Sequence, residues 1–352
     1  MTSGDRTAAV PHRLDDNRIA VSYEGGVRID AFRGAAGPVH GPEDWVGSVW
    51  ELPAEFARGT QRDDWGLSHL PDGRLLRDAI EADPVGWLGT PLAAATGGTP
   101  GVLVKLLDAG ERLPVHFHPT RAFARRHLGA SYGKTEGWVI LDAEPGAAAW
   151  LGFREDVPRE ALREWVAQQD GDAMLAAMNR RNVVAGDAIY VPAGTPHAFG
   201  PGILLCELQE PTSFSIHMEH ERFGMDEDVA TLGIGWEAAL DGVEARAMAD
   251  DVDALYSTGW EAHSGPGGRA EHLFPREALP FFDAQRLEVR GELELGSASF
   301  GVLVVLRGAG CLLAEGGERE VAGGETWVVP HGAGVVRLAG ELDALLCLPP
   351  QV

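Results

Sequence analysis

Two stretches of this chain can be laid over one another: GDAIYVPAGTPHA, from Gly186, and GETWVVPHGAGVV, from Gly324. Each opens on glycine and an acidic residue, runs through β-branched and aromatic residues, and reaches a proline, Pro192 in one and Pro330 in the other. Duplication of a β unit is the economical explanation, so a mainly β chain with two related units is the fold to expect. The copies differ at one telling position. Where the first has His197 the second has Val335, a scaffold kept and a histidine lost.

Composition agrees with two units. A chain of 352 residues that is 45% hydrophobic and carries ten Trp can bury one or two cores, and 46 Gly with 22 Pro imply short elements joined by turns. A formal net charge of -24 repels nucleic acid and anionic membrane, so neither is expected as a partner. Cys206, Cys311 and Cys347 lie in apolar runs such as GILLCEL and read as reduced strand residues. The first residues, MTSGDRTAAVPHRLDD, have no apolar signal core, and no stretch approaches 18 uninterrupted apolar residues. A cytoplasmic protein is the expectation.

Along the chain, RIAVSYEG, WVGSVWEL, GVLVKLLDAG, GWVILDA, AAAWLGF, DAIYVPAG and GILLCELQEP read as strands. Helical inserts are predicted at about 68–98 and 157–181, where apolar residues recur every three or four. The acidic stretch 226–258 also reads as helical, a solvated face over the strand core. SGPGGRAEH, from Ser264, reads as a linker, and from 283 onward every run is strand-like. The expected domains are 1–222, a first β unit with the helical inserts; 223–282, a helical connecting segment and linker; and 283–352, a second β unit.

The chemistry concentrates in the first unit. Gly110 is followed by five residues and then His-x-His, in GERLPVHFH; Gly186 is followed by five residues and then Pro192-x-Gly194-x-x-His197. These spacings resemble the two halves of the cupin signature, whose first half is followed by a glutamate; here the loop is long and Glu136 takes that role. The resemblance makes both units cupin jelly rolls, the second without metal ligands. His116 and His118, two apart, project from one strand face, and a neighbouring strand can supply Glu136 and His197. Three imidazoles and a carboxylate suit one borderline divalent cation, zinc foremost, with manganese, iron and cobalt compatible. His40, His127, His263, His272 and His331 lack partners at such spacing, and His217 with His220 reads as a turn of polar surface.

Lysine usage adds an independent signal. Of 29 basic residues only Lys105 and Lys134 are lysine, and Lys134 stands two residues before Glu136, aimed at the same cavity. A compact ammonium suits proton handling or binding of a substrate oxygen better than a guanidinium does. Arg121, Arg125 and Arg126 form a local positive cluster in the loop between ligands, a phosphate clamp if the substrate is phosphorylated.

The motifs PEDWVGSVW, LVKLLDAGERLPVHFHP, YGKTEGWVIL and GDAIYVPAGTPHAFGPGILLCELQEP together resemble the type I mannose-6-phosphate isomerases, zinc-dependent aldose–ketose isomerases. That resemblance implies metal ligands at His118, Glu136 and His197, with Lys134 near the reacting carbons. Two departures stand out: His116 occupies a position where that family has Gln, and in PTSFSIHME Ser213 and His217 stand where it has Asp and a catalytic Arg.

The leading expectation is therefore a metal-dependent isomerase of a sugar or sugar phosphate, working through a cis-enediol, with Lys134, His217 and Glu207 as candidates for proton handling. Another metal cupin reaction, such as oxygenation or lyase chemistry, is an alternative, as is a carbohydrate-binding or regulatory cupin without turnover. The replaced Ser213 and His217 lead to the expectation of a poor mannose-6-phosphate isomerase that prefers another sugar.

Overall fold

The computed structural model describes residues 6–35, 41–51, 64–249, 251–296 and 299–352; His40 lies outside them. The fold is mainly β. In the first unit a six-stranded sheet runs in the order Arg18–Ile19, Glu43–Val46, Leu103–Ala109, Ile203–Gln209, Glu136–Ala143, Ala188–Val191, with every neighbouring pair antiparallel. A five-stranded antiparallel sheet, Ile216–His217, His116–Phe117, His197–Phe199, Ala148–Phe153 and Met178–Asn182, packs against it. The core between them draws Leu107, Trp138 and Leu205 from one sheet and Leu151 and Phe199 from the other.

The second unit is an eight-stranded sheet running His12–Leu14, Thr326–Val329, Gly301–Ala314, Arg337–Leu348, Asp283–Glu294, Gly268–His272, Trp260–Gly265, with Gly317–Ala322 paired to Gly301–Ala314. Its membership differs from the expected boundaries at two places. Residues 12–14, from the start of the chain, pair with Thr326–Val329. Trp260–Gly265 and Gly268–His272, expected within the connecting segment and linker, form an antiparallel hairpin of this sheet. The glycines and proline of SGPGGRAEH read as a linker because turn residues look alike in a linker and in a tight hairpin. The stretch 226–258 holds short helical segments, among them Glu227–Ala230, Gly235–Ala239 and Val252–Leu255, with Gly233 between the first two.

The two predicted inserts do hold helices: Leu76–Ala82, Pro84–Leu88 and Thr90–Thr96 in one, Arg159–Gln168 and Gly171–Ala177 in the other. The duplicated motif keeps its local geometry. Gly186 and Gly324 have φ of 100° and 87°, a region that favours glycine, and a four-residue strand begins two residues after each, at Ala188 and at Thr326.

The six-stranded sheet is covered on both faces, which is why all seven residues of Leu103–Ala109 are buried and its sequence reads as a nearly continuous apolar run. Leu107 turns inward, whereas Val104 and Leu106 turn outward against Val302, Val304 and Leu345 of the second unit. Cys206 and Cys347, both free, meet across this seam with Sγ atoms 3.9 Å apart. By the same two-residue period Lys105, Glu136 and Glu207 face inward, each opposite a strand whose outer face the second unit holds in place.

Gly137 sits on that outer face between Glu136 and Trp138, and a Cβ there would lie 2.6 Å from Phe274 Cζ and 2.8 Å from Phe282 Cε2. Both rings are fully buried, so neither can retreat. The Gly137→Ala variant is expected to lose about 1–3 kcal/mol of stability through overpacking, measured by denaturant unfolding. A change under about 0.5 kcal/mol, the scale of a surface substitution, would show that the two units are not tightly packed here.

Candidate metal centre

Three short strands place three histidines at one level: in the register of the five-stranded sheet His116 stands opposite both His197 and His217. Ring centroids of His116 and His197 are 4.1 Å apart, of His116 and His217 5.4 Å, and of His118 and His197 4.9 Å. His118 lies just past the end of the strand His116–Phe117, and Glu136 arrives from the facing sheet, not from a neighbouring strand as expected. Its carboxylate Oε1 is 2.9 Å from His118 Nε2, and Oε2 is 3.7 Å from His197 Nε2. His116, His118 and His197 each offer a ligand atom, all within 4.8 Å of one another.

The Nδ1 atoms settle which nitrogen is free. His116 Nδ1 donates to Pro114 O at 2.8 Å, His118 Nδ1 to Phe214 O at 2.8 Å, and His197 Nδ1 to Thr195 O at 2.9 Å. A carbonyl can only accept, so the proton is on Nδ1 and each Nε2 keeps its lone pair, the arrangement found behind metal-bound histidines. Burial holds these rings neutral, helped at His116 by repulsion from the neighbouring histidines and opposed at His118 and His197 by Glu136: His116 lies well below the ordinary imidazole range, His118 is lowered to about 3, and His197 is lowered too. For Glu136 burial opposes ionisation, but His118 and Lys134 outweigh it and hold the carboxyl well below the usual range. Three neutral imidazoles and one ionised carboxylate fit a divalent cation of the zinc, manganese, iron or cobalt type.

Around this cluster lies one cavity. Lys134 Nζ is 2.9 Å from Glu136 Oε1 and 3.2 Å from His118 Nε2, and Trp138 Nε1 donates to Glu136 Oε2 at 3.0 Å. His217, which the sequence reads as polar surface, instead lines the cavity beside the ligands, with Nδ1 buried and no hydrogen-bond partner among the described residues. Burial, and then the neighbouring His118, lower it to about 3. Glu207 also lines it; burial, and then the charge of Glu136, raise its carboxyl to about 7.

Four residues of this wall have no role assigned from the sequence, although Glu43 and Trp45 stand in PEDWVGSVW and Lys105 in LVKLLDAGERLPVHFHP. Tyr23 Oη donates to Glu43 Oε1 at 2.6 Å, Trp45 Nε1 donates to Glu43 Oε2 at 2.6 Å, and Lys105 Nζ sits 3.3 Å from Glu43 and 3.4 Å from Glu207. Lys105 was within reach of the argument that singled out Lys134: both lysines of the chain line this cavity. Tyr23 was not: it reaches the cavity from a bend outside any strand, whereas register places Glu43 opposite Leu107.

The arginine cluster is a correction. The helix Arg121–His127 buries Phe123 and Ala124, which turns Arg125 and Arg126 out to solvent. Arg121 is held by Glu210 at 2.5 Å and stacks on Phe281. None of the three lines the cavity. Several other histidines have plain structural neighbours: His263 bonds Glu294 O, His272 bonds Asp283, and His127 packs on Phe123.

Fold and site together define a two-unit cupin protein with a metal-type cluster in its first unit. No protein-family profile matches the chain. A mannose-6-phosphate isomerase of Streptococcus mutans is 27% identical over 306 residues, covering 84% of this chain and 90% of that protein. A probable mannose-6-phosphate isomerase of Bacillus subtilis, GmuF, is 26% identical over 70% of this chain and 75% of its own length. Among solved structures, the Bacillus subtilis mannose 6-phosphate isomerase superposes with a TM-score of 0.70 at 21% identity, covering 96% of this chain and 99% of that one. A phosphomannose isomerase variant from Salmonella typhimurium gives 0.74 at 16% identity, covering 97% and 100%. The chain is similar along most of its length to mannose-6-phosphate isomerases and shares their fold.

The buried neutral histidines have a measurable consequence. Their folded pKa values lie below the unfolded one, so the unfolded chain takes up protons that the folded one refuses. The stability they contribute is present above about pH 6.5 and is lost as pH falls towards about 3. Thermal melts of metal-free protein are expected to show a lower midpoint at pH 5.5 than at pH 7.5, and a smaller drop in a His116→Gln, His217→Gln variant. An identical drop in parent and variant would contradict the buried, neutral cluster. Metal analysis of His118→Ala is expected to show most of the bound ion gone, since one of four ligands is missing.

Proposed function

We propose that this protein is a metal-dependent aldose–ketose isomerase acting on a sugar through a cis-enediol. The observation that carries the reading is that the His116, His118, His197 and Glu136 cluster borders one cavity, which His116, His197 and Glu136 line together with both lysines of the chain and with Glu207, a carboxyl poised near neutrality. His116, His118, Glu136 and His197 would hold the ion, with zinc the best match to a borderline N/O donor set. When bound, it supplies Lewis-acid polarisation of neighbouring carbonyl and hydroxyl oxygens.

The remaining work belongs to side chains. Glu207, with Oε1 free of hydrogen bonds among the described residues, takes the proton from C2 and returns it to C1 on the same face. Its pKa of about 7 lets one group act as base and then as acid. Lys105, whose ammonium form Glu207 and Glu43 favour against the cost of burial, orients that carboxylate. Lys134, beside Glu136, donates N–H bonds to the substrate oxygens that exchange carbonyl and hydroxyl character. His217 offers one neutral nitrogen to a substrate hydroxyl. The free thiols of Cys206 and Cys347, close together yet unbonded, support placing the protein in the cytoplasm.

The test is NMR of zinc-loaded protein with aldoses and ketoses in deuterated water. Deuterium at C1 or C2 is the expected outcome, and Glu207→Gln is expected to lower turnover by about 10²-fold or more with bound metal unchanged. Isomerisation at the parent rate by Glu207→Gln would remove Glu207 from the mechanism, and no deuterium in any sugar would contradict the isomerase reading.

A further inference from the structure

Among the described residues the cavity is lined by two ammonium groups, Lys105 and Lys134, and three carboxylates, Glu43, Glu136 and Glu207, and by no arginine. Both cations are already engaged. Lys134 lies 2.9 Å from Glu136, and Lys105 lies 3.3 and 3.4 Å from Glu43 and Glu207. All three carboxylates are buried, so drawing either ammonium onto a phosphate would leave a buried anion without its partner.

The arginines flanking the ligand strand are locked away in the same manner. Arg112 grips the buried carboxylate of Glu219, with Nη1 2.6 Å from Oε2, and Arg121 grips the buried Glu210. The lip of the cavity adds repulsion. Met225 and Val229 line it, and between them Asp226, Glu227 and Asp228 are all exposed. The backbone N–H of Val229, at the start of the turn Glu227–Ala230, is taken by Asp226 Oδ1 at 2.9 Å. A phosphate dianion would therefore meet an acidic approach and find no forked donor among the described residues, the group that recognises it best. The other polar groups of the lining, Ser22, Ser213, Ser215, Tyr23 and His217, are neutral hydrogen-bonding partners suited to hydroxyls.

We infer that the sugar this site takes is uncharged: a free aldose–ketose pair, not the 6-phosphate. The inference rests on the isomerase reading for the reaction, but the choice of substrate class follows from the wall of the cavity itself.

The experiment uses full-length, zinc-loaded protein with mannose and mannose 6-phosphate, and with other free aldoses. Turnover is followed alongside calorimetric binding of the same sugars. The expected result is a kcat/KM for a free sugar at least about tenfold above that for the phosphorylated one. Val229→Arg, at the lip, is expected to move that ratio towards the phosphate by about tenfold, and Ser22→Arg serves as a second variant if the first does not fold. Equal or better use of mannose 6-phosphate by the parent would overturn the inference. If no sugar turns over, the isomerase reading fails by itself, and binding decides the substrate class. Tighter binding of free sugar upholds the inference, whereas tighter binding of the phosphate, or of neither, overturns it.

Discussion

The carboxylate of Glu136 is the point at which the first unit is tied together. One oxygen meets His118 Nε2 and Lys134 Nζ, each at 2.9 Å, while the other accepts from Trp138 Nε1. A buried carboxylate is costly unless paired and hydrogen-bonded, and this one is paired with the Lys134 ammonium through one oxygen and accepts from Trp138 Nε1 through the other. It thereby stands ionised opposite the His118 and His197 imidazoles of the facing sheet. His116, His197 and His217 follow from register, and their rings stay neutral because the same closed packing excludes water.

That closure depends on the second unit, which contributes support. Its sheet covers the outer face of the strands that carry Lys105, Glu136 and Glu207, burying Val104, Val139 and Cys206 against Phe274, Val302 and Cys347. The duplication thus divided the work: one copy keeps His197 and faces the cavity, while at the matching position of the other Val335 is 45% exposed to solvent. A strand buried on both faces cannot shift register without exposing apolar residues, so the inward-facing charges are held where they are needed.

Much of this was legible in the sequence. The clustering of His116, His118, Glu136 and His197 was legible from their spacings, and Lys134 from the rarity of lysine. Tyr23 was not legible, because it reaches the cavity from a bend outside any strand and nothing local marks it; Glu43 stands in PEDWVGSVW, but its partners come from other elements. The hairpin over 260–272 was read as a linker because Gly and Pro report a turn but not what flanks it. Arg125 and Arg126 were placed near a substrate on sequence proximity alone; the apolar pair Phe123 and Ala124 decides which helix face is buried, and it sends them outward. His217 was read as polar surface in one argument and as a candidate for proton handling in another, and the pairing of Ile216–His217 with the ligand strand places it in the cavity.

The central claim is that three imidazoles and one carboxylate, with no thiolate, form the metal site. X-ray absorption spectroscopy of the zinc-loaded protein tests it most directly. The account predicts a shell of nitrogen and oxygen at about 2.0–2.1 Å with outer-shell scattering from about three imidazole rings. A sulfur shell near 2.3 Å, or an oxygen-only shell without imidazole scattering, would contradict it.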